Sequence, residues 1–274
     1  MTDDRARELL LRLIPLLAEE RGMRMKLDAE APVSDLFATF RALVNTREPM
    51  PAAPELLALQ DELLQGMIAD KGITTLDDTT PSPADPRLLL WRGDITTLAT
   101  DAIVNAANSQ MLGCWVPGHH CIDNAIHTFA GIQLRIECAE LMRTQGHEEP
   151  TGEAKVTAAY NLPAKAVIHT VGPIAQGRPT ARHKLQLQRC YESCLDAAQA
   201  HDLHSIAFCC ISTGVFGYPC EAAAEVAVET VRRWLADHPG TDMRVVFNVF
   251  LEKDELIYRR LIGPLRAPGH ISHQ

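Results

Sequence analysis

Two thiols and two imidazoles fall within eight residues in the segment Gly113-Cys114-Trp115-Val116-Pro117-Gly118-His119-His120-Cys121, and a carboxylate, Asp123, follows two positions later. The Pro-Gly pair bends the backbone so that Cys114, His119 and Cys121 can converge on one point. Soft sulfur with imidazole selects zinc over magnesium or calcium. Three protein ligands would leave one coordination position for water or substrate. His120 competes with His119, and spacing alone does not separate them. A fourth ligand from His120, Asp123, His127 or Cys138 would instead make the zinc structural.

Other polar segments are candidates beside it. Gly93-Asp94-Ile95-Thr96 offers a carboxylate that can accept from an adenine amine or cap a helix. Asn105-Ala106-Ala107-Asn108 offers two amides that can hold sugar hydroxyls or form a turn. In Ser212-Thr213-Gly214-Val215-Phe216-Gly217-Tyr218-Pro219, two glycines free the backbone to wrap its N–H groups around a pyrophosphate, and a following helix adds its dipole. Asp123 and His127 are four apart at a helix start and share one face. Asp123 can orient or activate water there, or answer the helix dipole. His127 and His169 read as structural histidines.

Elements must position these groups. Residues 1 to about 80 have a helical texture: Leu9, Leu10, Leu13, Ile14 and Leu17 recur at helical spacing, a second helix spans about Ser34 to Thr46 with Ser34 as its cap, and a third spans about Glu55 to Lys71 after Pro54. The polar, proline-rich stretch Asp77 to Pro86 reads as a linker. From Arg87 short apolar runs appear at Leu88–Trp91, Ala102–Asn105, Ala154–Ala159, Ala166–His169, Ile206–Ile211 and Val245–Leu251. Helical patterns cover about Ile122–Arg143, Arg182–His201, Glu221–Ala236 and Asp254–Ile262. Strands without clean alternation indicate a sheet covered on both faces, hence an α/β/α sandwich preceded by a helical extension. In such sheets ligands bind beyond the carboxyl ends of the strands, where the candidate segments lie.

Bulk properties narrow the classes. A net charge of −9 argues against electrostatic capture of a nucleic-acid backbone or an anionic membrane. No run approaches the roughly 18 apolar residues of a membrane span. Met1-Thr2-Asp3-Asp4 lacks a basic-then-apolar signal pattern, so the eight cysteines are expected to be reduced in a cytoplasmic protein. Adjacent Cys209-Cys210 read as buried strand residues. A zinc nucleoside deaminase needs H-x-E and P-C-x-x-C signatures, and the chain has neither.

In identity, order and position, the Gly-Asp-Ile-Thr segment, Asp101-Ala-Ile-Val-Asn-Ala-Ala-Asn108, Ile168-His-Thr-Val-Gly-Pro173 and Ser212-Thr-Gly-Val-Phe-Gly-Tyr-Pro219 resemble the macrodomain family over roughly Arg87 to Leu265. Where many hydrolytic members carry a run of glycines, this chain has the Cys/His segment, and Ile122-Asp-Asn-Ala-Ile-His127 then resumes the family pattern. This looks like the zinc-dependent microbial subgroup associated with sirtuin-type ADP-ribosyltransferases, which also carries a helical N-terminal extension. The resemblance implies a three-layer α/β/α macrodomain with a mixed central sheet at 87–266, after an extension at 1–80. It implies ADP-ribose as ligand: adenine at Asp94 and Ile95, diphosphate at Ser212, Thr213, Gly214, Val215, Phe216 and Gly217, and distal ribose near Asn108 and Phe216. Phe250 is a candidate for stacking on adenine or for the core. One zinc ion is implied at Cys114, His119 and Cys121, with His119 preferred to His120.

The expected activity is zinc-dependent hydrolysis of mono-ADP-ribose from protein side chains at the distal-ribose anomeric carbon, with Asp123 and Asn108 as catalytic residues. A non-hydrolytic ADP-ribose-binding module with structural zinc and an O-acetyl-ADP-ribose deacetylase are the alternatives. Partners implied by the resemblance are a sirtuin-type transferase and a lipoylated glycine-cleavage-H-like carrier.

Overall fold

A computed structural model describes residues 1–263 of the chain. Three helices come first: α1 (Asp3–Glu19), α2 (Val33–Asn45) and α3 (Pro54–Lys71). The apolar stripe of α1, including Leu9, Leu10, Leu13, Ile14 and Leu17, is buried where the helix packs on α2 and α3. Pro54 occupies the first turn of α3, where its missing N–H has no intrahelical partner to lose. Helix α2 starts one residue before Ser34: Pro32 is its N-cap, without a side-chain cap bond, so Ser34 is not the cap the sequence suggested.

The sheet elements follow as β1 (Thr74–Thr75), β2 (Thr80–Pro81), β3 (Leu88–Arg92), β4 (Leu98–Ala99) and β5 (Ala102–Ala107). Then come α4 (Ile122–Ala130), α5 (Ile132–Gln145), β6 (Ala154–Ala158), β7 (Ala166–Val171), α6 (Ala181–Ala200), β8 (Ser205–Phe208), α7 (Cys220–Asp237), β9 (Arg244–Val249) and α8 (Glu252–Ile262). Seven strands form one sheet in the order β2-β3-β9-β8-β5-β7-β6, while β1 and β4 pair separately. Edge strands β2 and β6 run antiparallel to their neighbours and the inner strands are parallel, giving the mixed sheet. Helices α6, α7 and α8 pack side by side; α4 lies on β5, α5 on β6, and the extension rests on α4. Strand β7 is buried at every position and β5 at all but one, which explains their apolar runs without alternation.

Two further expectations change. The segment read as a linker carries a 3₁₀ turn at Leu76–Asp78 and the edge strand β2, whose residues pair with Leu89 and Leu90. Backbone pairing to β3 satisfies its polar groups without any apolar pattern. The single helix expected over Ile122–Arg143 is two helices, broken at Gly131 with φ +100°. At that φ any L side chain is strained, which calls for glycine; a Cβ would also meet the side-chain ends of Gln60 and Gln133 at 2.6 Å. Cys209 and Cys210 lie just past β8, with Cys209 buried and Cys210 partly so. The expected domain end at residue 266 lies outside the described residues. No helix among them is long and apolar enough to cross a membrane.

Candidate active site

The parallel strands β3, β5, β8 and β9 end on one edge, and the segments 93–97, 108–121, 209–219 and 250–251 leave from it. This is the edge at which doubly wound sheets bind ligands. Asp94 follows β3 and caps a short 3₁₀ turn: Oδ1 accepts from Thr96 N (3.0 Å) and Thr96 Oγ1 (2.6 Å). Its Oδ2 accepts from Lys71 Nζ of α3 at 2.8 Å. Burial raises the Asp94 pKa, but Lys71 and Thr96 outweigh it and hold the carboxylate below its ordinary range. A carboxylate has about four lone-pair sites, so acceptor capacity remains for a ligand amine. Ile95 beside it is buried, and Phe250, directly after β9, is 73% exposed.

Strand β5 delivers Asn105 and Asn108 toward α4. Asn105 is fully buried; its Nδ2 donates to Asp123 Oδ1 at 2.8 Å and lies 3.1 Å from His169 Nδ1, the residue opposite it on β7. An amide has two hydrogens, so it can serve both if His169 Nδ1 is the acceptor. The His169 proton then sits on Nε2, facing Thr157 Oγ1 at 2.9 Å. Asn108 Nδ2 donates to Gly113 O at 3.0 Å and reaches Asp123 Oδ2 at 3.4 Å. Asp123, in the first turn of α4, thus has one oxygen on each asparagine.

Burial pushes the Asp123 carboxyl up to about 6, against the opposing pull of Asn105 and Arg135. His127 Nε2 stands 3.6 Å from Asp123 Oδ1, beyond hydrogen-bond reach. Burial also drives the His127 pKa well below its ordinary value, so the two are not an ion pair. His127 and His169 form a second His/Cys group with Cys138, entirely buried. Burial lowers His169 to about 3 and raises the Cys138 thiol well above its usual range, and His169 is already engaged by Asn105 and Thr157. Sequence reading treated His169 as structural. Its link through Asn105 to Asp123 appears only once β5 and β7 are in register.

The Cys/His segment brings Cys114, His119 and Cys121 together, their donor atoms all within 4.8 Å of one another, and His120 is not in the group. Cys114 Sγ lies 3.5 Å from His119 Nδ1. Cys121 caps α4, its Sγ accepting from Asn124 N at 3.4 Å. Burial and then the neighbouring Cys114 and Asp123 push the Cys121 thiol up to about 12. Two thiols and an imidazole brought to one point are a donor set that fits zinc, which would stabilise the thiolates. Gly113 has φ +77°, and a Cβ there would stand 2.8 Å from the His127 ring, so the segment enters over that histidine.

The fourth segment, Ser212–Pro219, closes on itself through Gly217 N to Gly214 O (2.9 Å) and Tyr218 N to Ser212 O (2.9 Å). It is held from outside by Ala175 N and Gln176 N, both donating to Phe216 O. Ser212 and Gly217 both adopt positive φ, and among the described residues the N–H groups of Gly214, Val215 and Phe216 have no acceptor. Free N–H groups on such a loop, ahead of the N-terminus of α7, are available to an anion.

Sequence reading missed three groups, all from the extension. Lys71 pairs with Asp94, and its ammonium also lies 3.6 Å from the Phe129 ring centroid. Arg41 and Asn45 of α2 reach the Cys/His segment and Asn124. The one available signal was Asn45, a polar residue beside Leu43 and Val44 on the apolar stripe of α2.

A family model described as Macro domain matches residues 104–227. A Treponema medium protein named protein-ADP-ribose hydrolase is 55% identical over 225 residues, covering 81% of this chain and 86% of its own length. A Staphylococcus aureus protein of the same name is 47% identical over 248 residues, covering 90% and 92%. A Trypanosoma brucei macrodomain solved in complex with ADP-ribose superposes with a TM-score of 0.63 at 33% identity, covering 81% and 95%. The chain belongs to the macrodomain family. Within that family, the two relatives closely matched along nearly their whole length carry a hydrolase name.

Proposed function

We propose that this macrodomain protein is a protein-ADP-ribose hydrolase that uses one zinc ion and cleaves mono-ADP-ribose from modified side chains at the distal-ribose anomeric carbon. The observation that carries the reading is Asp123, a buried carboxylate held between two asparagine amides beside a Cys/His/Cys cluster. In this reading the N–H groups of Gly214, Val215 and Phe216 bind the diphosphate, with Ser212, Thr213 and Gly217 shaping the loop. Asp94 and Ile95 receive the adenine, and Asn108 fixes the distal ribose. These remote contacts supply the positioning energy for the reacting carbon.

Cys114, His119 and Cys121 would hold the zinc, which supplies Lewis acidity toward a ribose hydroxyl or water. Asp123 orients the attacking water and takes its proton while the oxygen bonds to the anomeric carbon and the bond to the modified side chain breaks, the side-chain oxygen leaving with the bonding electrons. Asn105 keeps the carboxylate in place during this transfer. The extension at 1–80 and the catalytic domain at 87–266 are proposed as the chain's two parts. A cytoplasmic location keeps the ligand thiols reduced. The proposed partners are a sirtuin-type transferase and a lipoylated glycine-cleavage-H-like carrier.

The test uses a mono-ADP-ribosylated carrier protein and zinc-loaded enzyme. Release of free ADP-ribose, lost on chelation and restored by zinc, supports the full reading. Binding of ADP-ribose without release identifies a reader with structural zinc, and release of acetate from O-acetyl-ADP-ribose alone identifies a deacetylase. Turnover that survives chelation in correctly folded protein removes the zinc from the mechanism.

A further inference from the structure

The Cys/His segment has little backbone support of its own: within it, the turn from His119 N to Val116 O, at 3.2 Å, is the one backbone bond. Cys121, at its end, joins α4 through Ala125 N, which donates to Cys121 O at 3.0 Å; the rest of the segment is tethered by side chains. Asn108 holds Gly113 O, Asn124 Nδ2 donates to Val116 O at 3.1 Å, Arg41 Nη2 donates to His119 O at 3.0 Å, and Asn45 Oδ1 accepts from Gly118 N at 3.0 Å. Asn124, fully buried, is itself fixed by the same two residues of α2. Its Oδ1 accepts from Arg41 Nε (3.0 Å) and Nη2 (2.7 Å), and its Nδ2 donates to Asn45 Oδ1 (2.9 Å). Three of the four tethers therefore lead to α2, and one grips the peptide carbonyl of the histidine donor. Trp115 is held from the same side: Arg135 stacks 4.3 Å from its ring and donates to the carbonyls of Val44 and Arg47, at the end of α2.

We propose that Arg41 and Asn45 are positioning residues of the catalytic domain, and that α2 fixes the geometry of Cys114, His119 and Cys121. The inference rests on the reading that these three hold the metal. The guanidinium suits the task because its rigid planar fork sets two N–H groups on Asn124 Oδ1 while Nη2 also reaches His119 O, a fixed geometry that a freely rotating ammonium does not reproduce. Its bonds are charge-assisted and partly withdrawn from water. Helix α2 does not depend on Arg41 for its place: Leu36, Phe40, Leu43 and Val44 anchor it in the core. Partners behind metal ligands typically change metal affinity or activity by about 10–100-fold when removed.

The experiment uses the full chain as Arg41→Ala, Arg41→Lys, Asn45→Ala and Asn45→Asp. Zinc affinity is read by chelator competition, KM and kcat by ADP-ribose release, and folding by the melting temperature of the zinc-free protein. Both alanine variants and Arg41→Lys are expected to bind zinc about 10–100-fold more weakly, with kcat reduced and KM within about threefold. Asn45→Asp, which keeps the acceptor for Gly118 and Asn124, is expected to restore most of the affinity. If Arg41→Ala does not fold, Arg41→Lys, which retains the stem and charge, carries the same prediction. Undiminished zinc affinity in the Arg41 and Asn45→Ala variants overturns the positioning role while leaving the metal reading intact. A loss that merely tracks zinc-free unfolding also overturns it. A wild-type chain that retains no zinc overturns both.

Discussion

At the glycine-loop end of the strand edge, Ser212–Pro219 is shaped by its own backbone and by the backbone of Ala175 and Gln176. At the other loop, which follows the neighbouring strand β5, Gly113–Cys121 is held mainly by side chains: Asn108, Asn124, Arg41 and Asn45. A diphosphate needs only N–H groups aimed at it, and a loop rich in glycine provides them whatever the neighbouring side chains are. A reactive centre needs donors and a carboxylate held in one geometry, and that takes side chains fixed from several directions. The first end should respond to changes in backbone conformation, and the second to the loss of single side chains.

The largest expected effect is at the reactive end. Cys114→Ser should lower ADP-ribose release by roughly 100-fold or more while ADP-ribose affinity, read by calorimetry, stays within about threefold, because the ligand contacts lie elsewhere. Equal losses of binding and turnover would mean the two ends are not separable. Next is Gly217→Val, at φ +65° with a Cβ 3.2 Å from the Gln176 backbone. Strain of about 1–3 kcal/mol at such a position should weaken ADP-ribose binding by roughly 10–100-fold. Unchanged affinity would sink the diphosphate assignment.

A third prediction concerns acid. His169 is buried and neutral, with its pKa lowered by burial to about 3. The unfolded chain protonates this ring below its ordinary value of about 6.5, whereas the folded chain does not, so stability falls as pH drops through 6.5 and continues to fall toward 3. The unfolding free energy from urea titrations should therefore decline between pH 6.5 and 5.5 by about 1 kcal/mol for this residue alone, and His169→Asn should lessen the decline. His127 shifts the same way and adds to it. Asp123, raised to about 6, opposes the decline over the same window, so the diagnostic is the difference between wild type and His169→Asn; identical slopes would contradict the buried-histidine network. The smallest effect is expected for Lys71→Met: its pair with Asp94 is about one-third exposed on both sides, so stability should change by roughly 0–1 kcal/mol. ADP-ribose affinity should stay within about threefold. A tenfold or larger change would make Lys71 part of the adenine site.

Much of the fold was legible because burial on both faces wrote β5 and β7 as apolar runs and the outer helices as periodic ones. The break at Gly131 was not, since a lone glycine in a helical pattern does not announce the φ of +100° that it adopts between α4 and α5. Strand β2 was invisible because two residues of edge pairing leave no side-chain pattern. At the site, residues clustered in sequence declared themselves: Cys114, His119 and Cys121 do converge, and Asp123 does lie on Asn105 and Asn108. Arg41 and Asn45 did not, because they act on partners 73 to 83 positions away, where no spacing rule reaches.

The central claim is that the Asp123 carboxylate performs chemistry at a site whose ligand contacts are made elsewhere. It is tested by comparing wild type with Asp123→Asn, an isostere that keeps the bulk and hydrogen-bond reach. Single-turnover release of ADP-ribose from a modified carrier and the dissociation constant for free ADP-ribose are measured on the same preparations. The account predicts release slowed by about 10²–10⁴-fold with affinity changed less than about threefold. Release at the wild-type rate, or affinity lost in step with release, would contradict it.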